Sequence, residues 1–296
     1  MNILIIENDE KYLTIDQKTL KTQNHKIPLH LIDYVIISQK IDIDSSVFIE
    51  LSRSSIPILF ISKHSKYFSL TVPLEAKNSE LKIGQYELTK QKIKIAKSII
   101  EKKIKNHKES LQYLKSDIEI KEELNKLKNA KKIETILGIE GSFAKKYFDI
   151  YFSILPKYLH KGKRSKNPPL DPVNSILSFT YTIFYNLITS KLFAYGFDPA
   201  ISYLHTPFRS HYALSSDLLE ILRGDINTFC AKLFLDKHLR SEDFTKKRGI
   251  YLKPSSRRTF WKHLKPFINQ TEPKIKQEIA NLRKIVLTNP QENRLE

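Results

Sequence analysis

Three stretches of the chain carry side chains that can do chemistry. The first is "HTPFRSHYALSSDLLEILR", residues 205–223, which opens on His205 and closes on Asp217 and Glu220 inside an apolar run, followed by Arg223. Asp217 and Glu220 stand at i and i+3 of a predicted helix, so they share a face. Either the pair caps that helix, with Asp217 at N-cap and Glu220 completing a capping box, or it holds a cation. The second stretch is "ILGIEGSFAKKYF", residues 136–148, where Glu140 lies among Ile136, Leu137, Ile139, Gly141, Phe143 and Ala144. A carboxylate in such surroundings must be paired, protonated or bound to a cation, and the many lysines offer the first option. The third is "YGFDPAISYLHTPF", residues 195–208, in which Gly196 and Pro199 shape a tight loop ahead of His205. Taken alone, such a histidine is usually a structural hydrogen-bonder.

Together the acid, the histidine and the acidic helix compose a mixed nitrogen and oxygen donor set. Such a set suits Mn²⁺ or Mg²⁺, with the imidazole tilting the balance towards Mn²⁺, and the lack of a nearby cysteine disfavours a closed zinc site. A divalent ion beside a basic surface points to phosphoryl chemistry on nucleic acid.

The rest of the composition agrees. Against 32 acidic residues the chain sets 50 lysines and arginines, a formal charge of +18 that favours a polyanionic partner, nucleic acid before an anionic membrane surface. A lysine-rich surface kept for solubility is the plain alternative. The membrane reading lacks an aromatic-rich amphipathic anchor. Cys230, the single cysteine, sits in the apolar run "INTFCAKLFL" and reads as core packing in a reducing compartment. No apolar stretch approaches the roughly 20 residues that span a bilayer, and "MNILIIENDEKYL" lacks the basic start of a signal peptide. A soluble, cytoplasmic protein is expected.

The elements that must position these residues fall into two parts. "NILIIE", "YLTID", "YVIIS", "IPILFISK" and "YFSLTVP" read as short strands, with one short helix at "SSVFIELSRSS". Near "PLEAKNSELKIG" the pattern dissolves, which reads as a linker. Beyond it, Ala96, Ile99, Ile100, Ile104, Leu111 and Leu114 form the stripe of a long amphipathic helix whose lysines read mostly as a solvated face. Further helices are expected over 118–137, 140–154, 171–194, 211–222 and 226–239, with breaks at 156–172, 195–199 and 246–256. The expected fold is α+β: a small β-rich N-terminal domain (1–75), a linker (76–87) and a larger all-α C-terminal domain (88–296).

With these motifs in order, the chain resembles the CRISPR-associated endonuclease/integrase family (Cas one), which inserts new spacers during CRISPR adaptation. "LGIEG" (137–141), with Ala144 and "YF" (147–148), resembles the family's glutamate motif. "RSKNPPLDPVNSILSFTYTIF" (164–184) is similar to its central stretch, matching at Pro168, Pro169, Asp171, Pro172, Asn174 and Tyr181. "GFDPAISYLH" (196–205) and "SSDLLEILR" (215–223) resemble its histidine and acidic-helix motifs. His107 departs from the pattern, standing where the family usually has glutamine. Ala200 and Ser202 also depart from it.

The resemblance implies an N-terminal β domain that dimerises and a helical domain that holds one Mg²⁺ or Mn²⁺ through Glu140, His205 and Glu220. Asp217 would support the site, the choice between the two helix acids being the least direct transfer. Arg223 would reach a DNA phosphate. The implied reaction is strand transfer, in which the 3′-hydroxyl of a short prespacer DNA attacks a phosphodiester at the end of a CRISPR repeat. With water as nucleophile the same centre would be a metal-dependent DNA nuclease. A homodimer is implied, and so is a small ferredoxin-fold partner (Cas two) bridging two dimers. Lys161, Lys163 and Arg164, in the basic loop "HKGKRSK", would track a DNA backbone by counterion release. The competing reading is a non-catalytic, basic DNA-binding assembly protein of the same fold.

Overall fold

Alternation along short Ile- and Val-rich strands gives a sheet two apolar faces, and the N-terminal part uses both. A computed structural model describes residues 1–7, 10–62, 67–73, 78–206 and 211–292. Its first elements are β1 (Ile3–Ile6), β2 (Tyr12–Asp16), β3 (Thr19–Lys21), β4 (Lys26–Pro28), β5 (Tyr34–Ile37), β6 (Asp42–Ile43), α1 (Ser45–Arg53), β7 (Ile58–Ile61) and β8 (Phe68–Thr71). They build two four-stranded sheets, ordered β1-β5-β7-β8 and β4-β3-β2-β6. In the first, β1, β5 and β7 run parallel and β8 closes the edge antiparallel to β7. Val35, Ile37 and Ile58 point into a small core with Leu13, Leu20, Val47 and Leu51. Tyr34, Ile36, Leu59 and Ile61 point the other way, into the core of the helical part. The helix read at "SSVFIELSRSS" is α1, and its cap is Asp44, whose side chain accepts from Ser46 N at 2.8 Å.

The helical part comprises α2 (Ser79–Glu87), α3 (Lys92–Tyr113), α4 (Lys121–Asn129), α5 (Ile133–Ile154), α6 (Pro172–Ala194), α7 (Ala213–Glu220) and α8 (Arg223–Leu235). A hairpin, β9 (Phe244–Lys246) with β10 (Ile250–Leu252), and α9 (Arg257–Glu292) complete it. α6 has only one charged residue, Lys191, and is buried nearly all round, as a helix that runs through the core must be. The fold is α+β, strand-rich and then helical.

Four sequence expectations need adjustment. Residues 79–87 of the stretch read as a linker are helical: Asn78 caps α2 by accepting from Leu81 N at 3.0 Å, and Leu81 and Gln85 are buried. The first two linker residues, 76–77, lie outside the described residues. The helix expected at 118–137 breaks near Ala130, and α5 instead runs unbroken through Gly138, Glu140 and Gly141. The all-α expectation omits the β9–β10 hairpin, which docks just beyond the basic loop, where Ile250 N donates to Pro169 O at 2.8 Å. Finally, α7 starts at Ala213 behind Tyr212, so Asp217 is mid-helix and Glu220 is the last residue; no capping box forms there. Among the described residues no helix is long and apolar enough to cross a membrane.

Candidate active site

Three helices and one loop supply the site. α5 presents Glu140, α7 presents Asp217 and Glu220, α3 presents Lys103 and His107, and the loop after α6 presents His205. The loop is fixed from the supposed linker. Gln85 of α2 is fully buried; its Nε2 donates to Asp198 O at 2.8 Å and Ile201 O at 3.0 Å, and its Oε1 accepts from Asp198 N at 3.0 Å. Ser202 Oγ then donates to His205 O at 2.5 Å.

Asp217 faces only donors. Its Oδ2 accepts from Tyr203 N at 2.8 Å and Leu204 N at 3.0 Å, while Oδ1 takes His205 N at 3.0 Å and His205 Nδ1 at 2.8 Å. A carboxylate in this position keeps the hydrogen on Nδ1 and leaves a lone pair on Nε2. That nitrogen is directed at Glu220 Oε1, 3.8 Å away.

Glu220 is buried, and its Oε2 meets both Lys103 Nζ and Arg223 Nε, the latter at 2.7 Å. Burial alone would raise its carboxyl, but Arg223 and then Lys103 more than offset this and hold it well below the ordinary carboxylate range. Glu140 is partly exposed and pairs through Oε1 with the same Lys103 ammonium. One buried lysine therefore bridges two carboxylates from different helices. Among the described residues no three His, Cys, Asp or Glu side chains converge as a ready ion cage, because Lys103 stands between Glu140 and Glu220.

Gly224, at the start of α8, makes these approaches possible. A Cβ there would lie 2.2 Å from Asn106 O, so α3 and α8 touch backbone to backbone. Asn106 Oδ1 in turn accepts from Asp225 N at 3.2 Å. Arg223 stacks over the Tyr181 ring at 4.6 Å, and Tyr181 OH donates to Asn227 Oδ1. Asn227 Nδ2 continues the buried chain to Tyr147 OH at 3.0 Å. His107, one turn beyond Lys103, is 1% exposed, and neither ring nitrogen has a hydrogen-bond partner. Burial, with Lys103 beside it, holds its imidazole well below the ordinary histidine range.

A cleft of about 470 Å³ opens over this set, lined by Glu140, His205, Glu220, Lys103, Lys163 and Arg164 among others. Asp171 and Asn174 shape its basic wall. Asp171 Oδ1 caps α6 by accepting from Asn174 N at 2.7 Å, and its Oδ2 accepts from Lys161 N at 3.1 Å. Asn174 holds Lys163 O at 2.8 Å and accepts from Arg164 at 2.8 Å. The four basic residues singled out in the sequence thus divide. Lys161 and Lys163 are exposed, whereas Arg164 and Arg223 are engaged by partners within the fold. Sequence reasoning overlooked Lys103, Gln85, and the cleft-lining Lys145 and Lys166. Lys166 had a signal, standing in the basic run beside three named residues; Lys103 looked like any other lysine of an amphipathic helix.

Comparison with known proteins accords with this geometry. The chain is 29% identical, over an alignment 314 positions long, to CRISPR-associated endonuclease Cas1 1 of Thermodesulfovibrio yellowstonii, covering 97% of this chain and 98% of that one. Its fold matches a CAS1 protein from Thermotoga maritima at a TM-score of 0.88 and 21% identity, over 97% of each chain. A casposase bound to integration product matches equally well, at a TM-score of 0.88 and 21% identity, over 98% of this chain and 91% of that one. A chain of a Cas6-RT-Cas1–Cas2 complex matches at 0.78 and 23% identity, over 97% of this chain and 35% of the other. The family model for CRISPR associated protein Cas1 spans residues 4–265, and this chain belongs to that family.

Proposed function

We propose that the chain is a metal-dependent DNA integrase and endonuclease of CRISPR adaptation. The observation that carries this reading is that His205, Glu220 and Glu140 line one cleft together with lysines of the basic loop, with His205 Nε2 3.8 Å from Glu220 Oε1. Two carboxylates and an imidazole fit a small divalent cation, Mn²⁺ or Mg²⁺. The bridging Lys103 ammonium marks the point between them where positive charge is needed. Glu140, His205 and Glu220 would hold the ion. Bound there, it would polarise a phosphodiester and favour the incoming oxygen.

The chain's own groups do the rest. Asp217 fixes the His205 ring so that Nε2 faces the cleft. Lys161 and Lys163 take DNA phosphates without reading bases, which sets the register of the strand. Arg223 stays on Glu220 and Tyr181 and holds the acid in place. In strand transfer the 3′-hydroxyl oxygen of the prespacer attacks phosphorus at the end of the repeat. A new P–O bond forms as the repeat's own 3′ oxygen leaves; with water attacking, the same step is hydrolysis. The casposase bound to integration product and the Cas1–Cas2 assembly among its structural neighbours support DNA and a small Cas two protein as partners. A homodimer through the strand-rich part completes the proposal.

One observation favours a second reading. Lys103 already satisfies both carboxylates, as it would in a non-catalytic DNA-binding assembly protein. Strand transfer by the purified protein on repeat-containing DNA separates the two. Joining in Mn²⁺ that EDTA, Glu140→Ala and Glu220→Ala each abolish is the expected result. Tight DNA binding with no joining or cutting in any metal, even with the small partner added, would leave the assembly reading.

A further inference from the structure

We propose that Lys103 is a tethered counter-cation that occupies the ion's position and exchanges with it at Glu140 and Glu220. The inference rests on the metal-dependent reading above and deepens it. Lys103 is 4% exposed and its ammonium touches a carboxylate of α5 and another of α7 at once. Two carboxylates held this near in a low-dielectric cleft repel strongly unless a positive charge lies between them. Arg223 does not supply it, because its Nε reaches only the Glu220 side. Lys103 therefore keeps the two acids in place before an ion arrives, and an arriving ion must displace it.

The fold also provides for the displaced ammonium. His107 lies four residues on, on the same face of α3, with both ring nitrogens unpartnered. A buried polar ring without partners is costly, and an ammonium leaving the carboxylates brings it a hydrogen to accept. The lysine thus has two seats one helical turn apart. The site passes between them without ever holding two bare carboxylates.

The test is titration of the full chain with Mn²⁺ by calorimetry, together with melting temperatures in EDTA and in saturating Mn²⁺. The chains compared are wild type, Lys103→Met and Glu140→Gln. Lys103→Met keeps the aliphatic length and removes the competing charge. It is expected to bind Mn²⁺ about tenfold tighter, the scale of one charged group removed from competition. It should melt several degrees lower than wild type in EDTA, and saturating Mn²⁺ should close that gap. Affinity in Lys103→Met equal to or weaker than wild type, with binding still abolished by Glu140→Gln, overturns the exchange while leaving the metal site standing. No Mn²⁺ heat in either wild type or Lys103→Met overturns both. Should Lys103→Met fail to fold, ¹³C-lysine spectra of the wild type during a Mg²⁺ titration decide the matter. The Lys103 ε-carbon is expected to shift in step with occupancy, and a static signal through saturation overturns the proposal.

Discussion

Asp217 accepts two hydrogens from His205 on one oxygen, the ring Nδ1–H at 2.8 Å and the backbone N–H at 3.0 Å. The acid therefore sets both where the imidazole stands and which of its nitrogens faces the cleft. All four of its contacts are with the Tyr203–His205 segment, which argues for Glu220 as the ligand in the proposed site and Asp217 as the organiser of His205.

Asp217→Asn tests that division of labour. The amide would aim a donor at a cluster of donors, leaving a buried group unsatisfied at a cost of about 1–3 kcal/mol. Mn²⁺ affinity should fall by about 10–100-fold, the range for losing a group that orients a ligand. Calorimetry of Asp217→Asn beside wild type measures it, and unchanged affinity would return Asp217 to a purely structural role.

The basic loop should respond unevenly to truncation. Lys161→Ala with Lys163→Ala removes two exposed charges and should weaken DNA binding. For every phosphate left without its lysine, the log–log salt slope should become shallower by about 0.9, with no change in melting temperature. Arg164→Ala removes the donor to Asn174 and Ser178, so it should lower the melting temperature as well. Fluorescence anisotropy over a salt series and thermal melts read the two effects separately.

Gly224→Ala should be among the most damaging changes outside the ligands. The added Cβ falls on the Asn106 carbonyl and its side chain, neither of which can yield without parting α3 from α8. Overpacking of this kind costs about 1–3 kcal/mol or more. Denaturant midpoints measure it, and the variant should lose Mn²⁺ binding in proportion, since Lys103 and Arg223 ride on the parted helices.

Away from the cleft, Glu272 of α9 accepts Lys191 of α6 at 2.7 Å and meets Lys276 at 3.1 Å. Burial opposes its charge, yet Lys191 and Lys276 hold its carboxyl down at about 2 from an ordinary 4.5. A folded value below the unfolded one means that the stabilisation is complete above about pH 4.5 and is lost as pH falls towards 2. Glu272→Gln should thus be clearly less stable than wild type at pH 6, and the two denaturation midpoints should approach each other by pH 3. A gap that stays constant with pH would show that the charge of Glu272 does not stabilise the fold.

What could be read in the sequence follows from how locally each feature is encoded. Strand runs at 3–6, 34–37 and 58–61 announce themselves by β-branched content, α3 by its apolar stripe and α6 by its long, mostly uncharged run. The stretches around Glu140, His205 and Glu220 were visible because acids and a histidine among apolar residues demand an explanation. Lys103 was not visible, since one buried lysine in a helix of many differs from its neighbours only through what α5 and α7 place opposite it. Gln85 escaped for a related reason. Its partners are more than 110 residues away, in a loop whose need for an anchor is apparent only in three dimensions. The β9–β10 hairpin has strands of three residues in a lysine-rich setting, too short for periodicity to register against the loop signals around it.

The sheet β1-β5-β7-β8 spends one face on the small core and the other on the helical core. Neither face remains for a visitor. What this sheet leaves open is its two edges, β1 and β8, and Tyr12, Phe48 and Ile49, exposed large apolar side chains of the strand-rich part, stand on β2 and α1 instead.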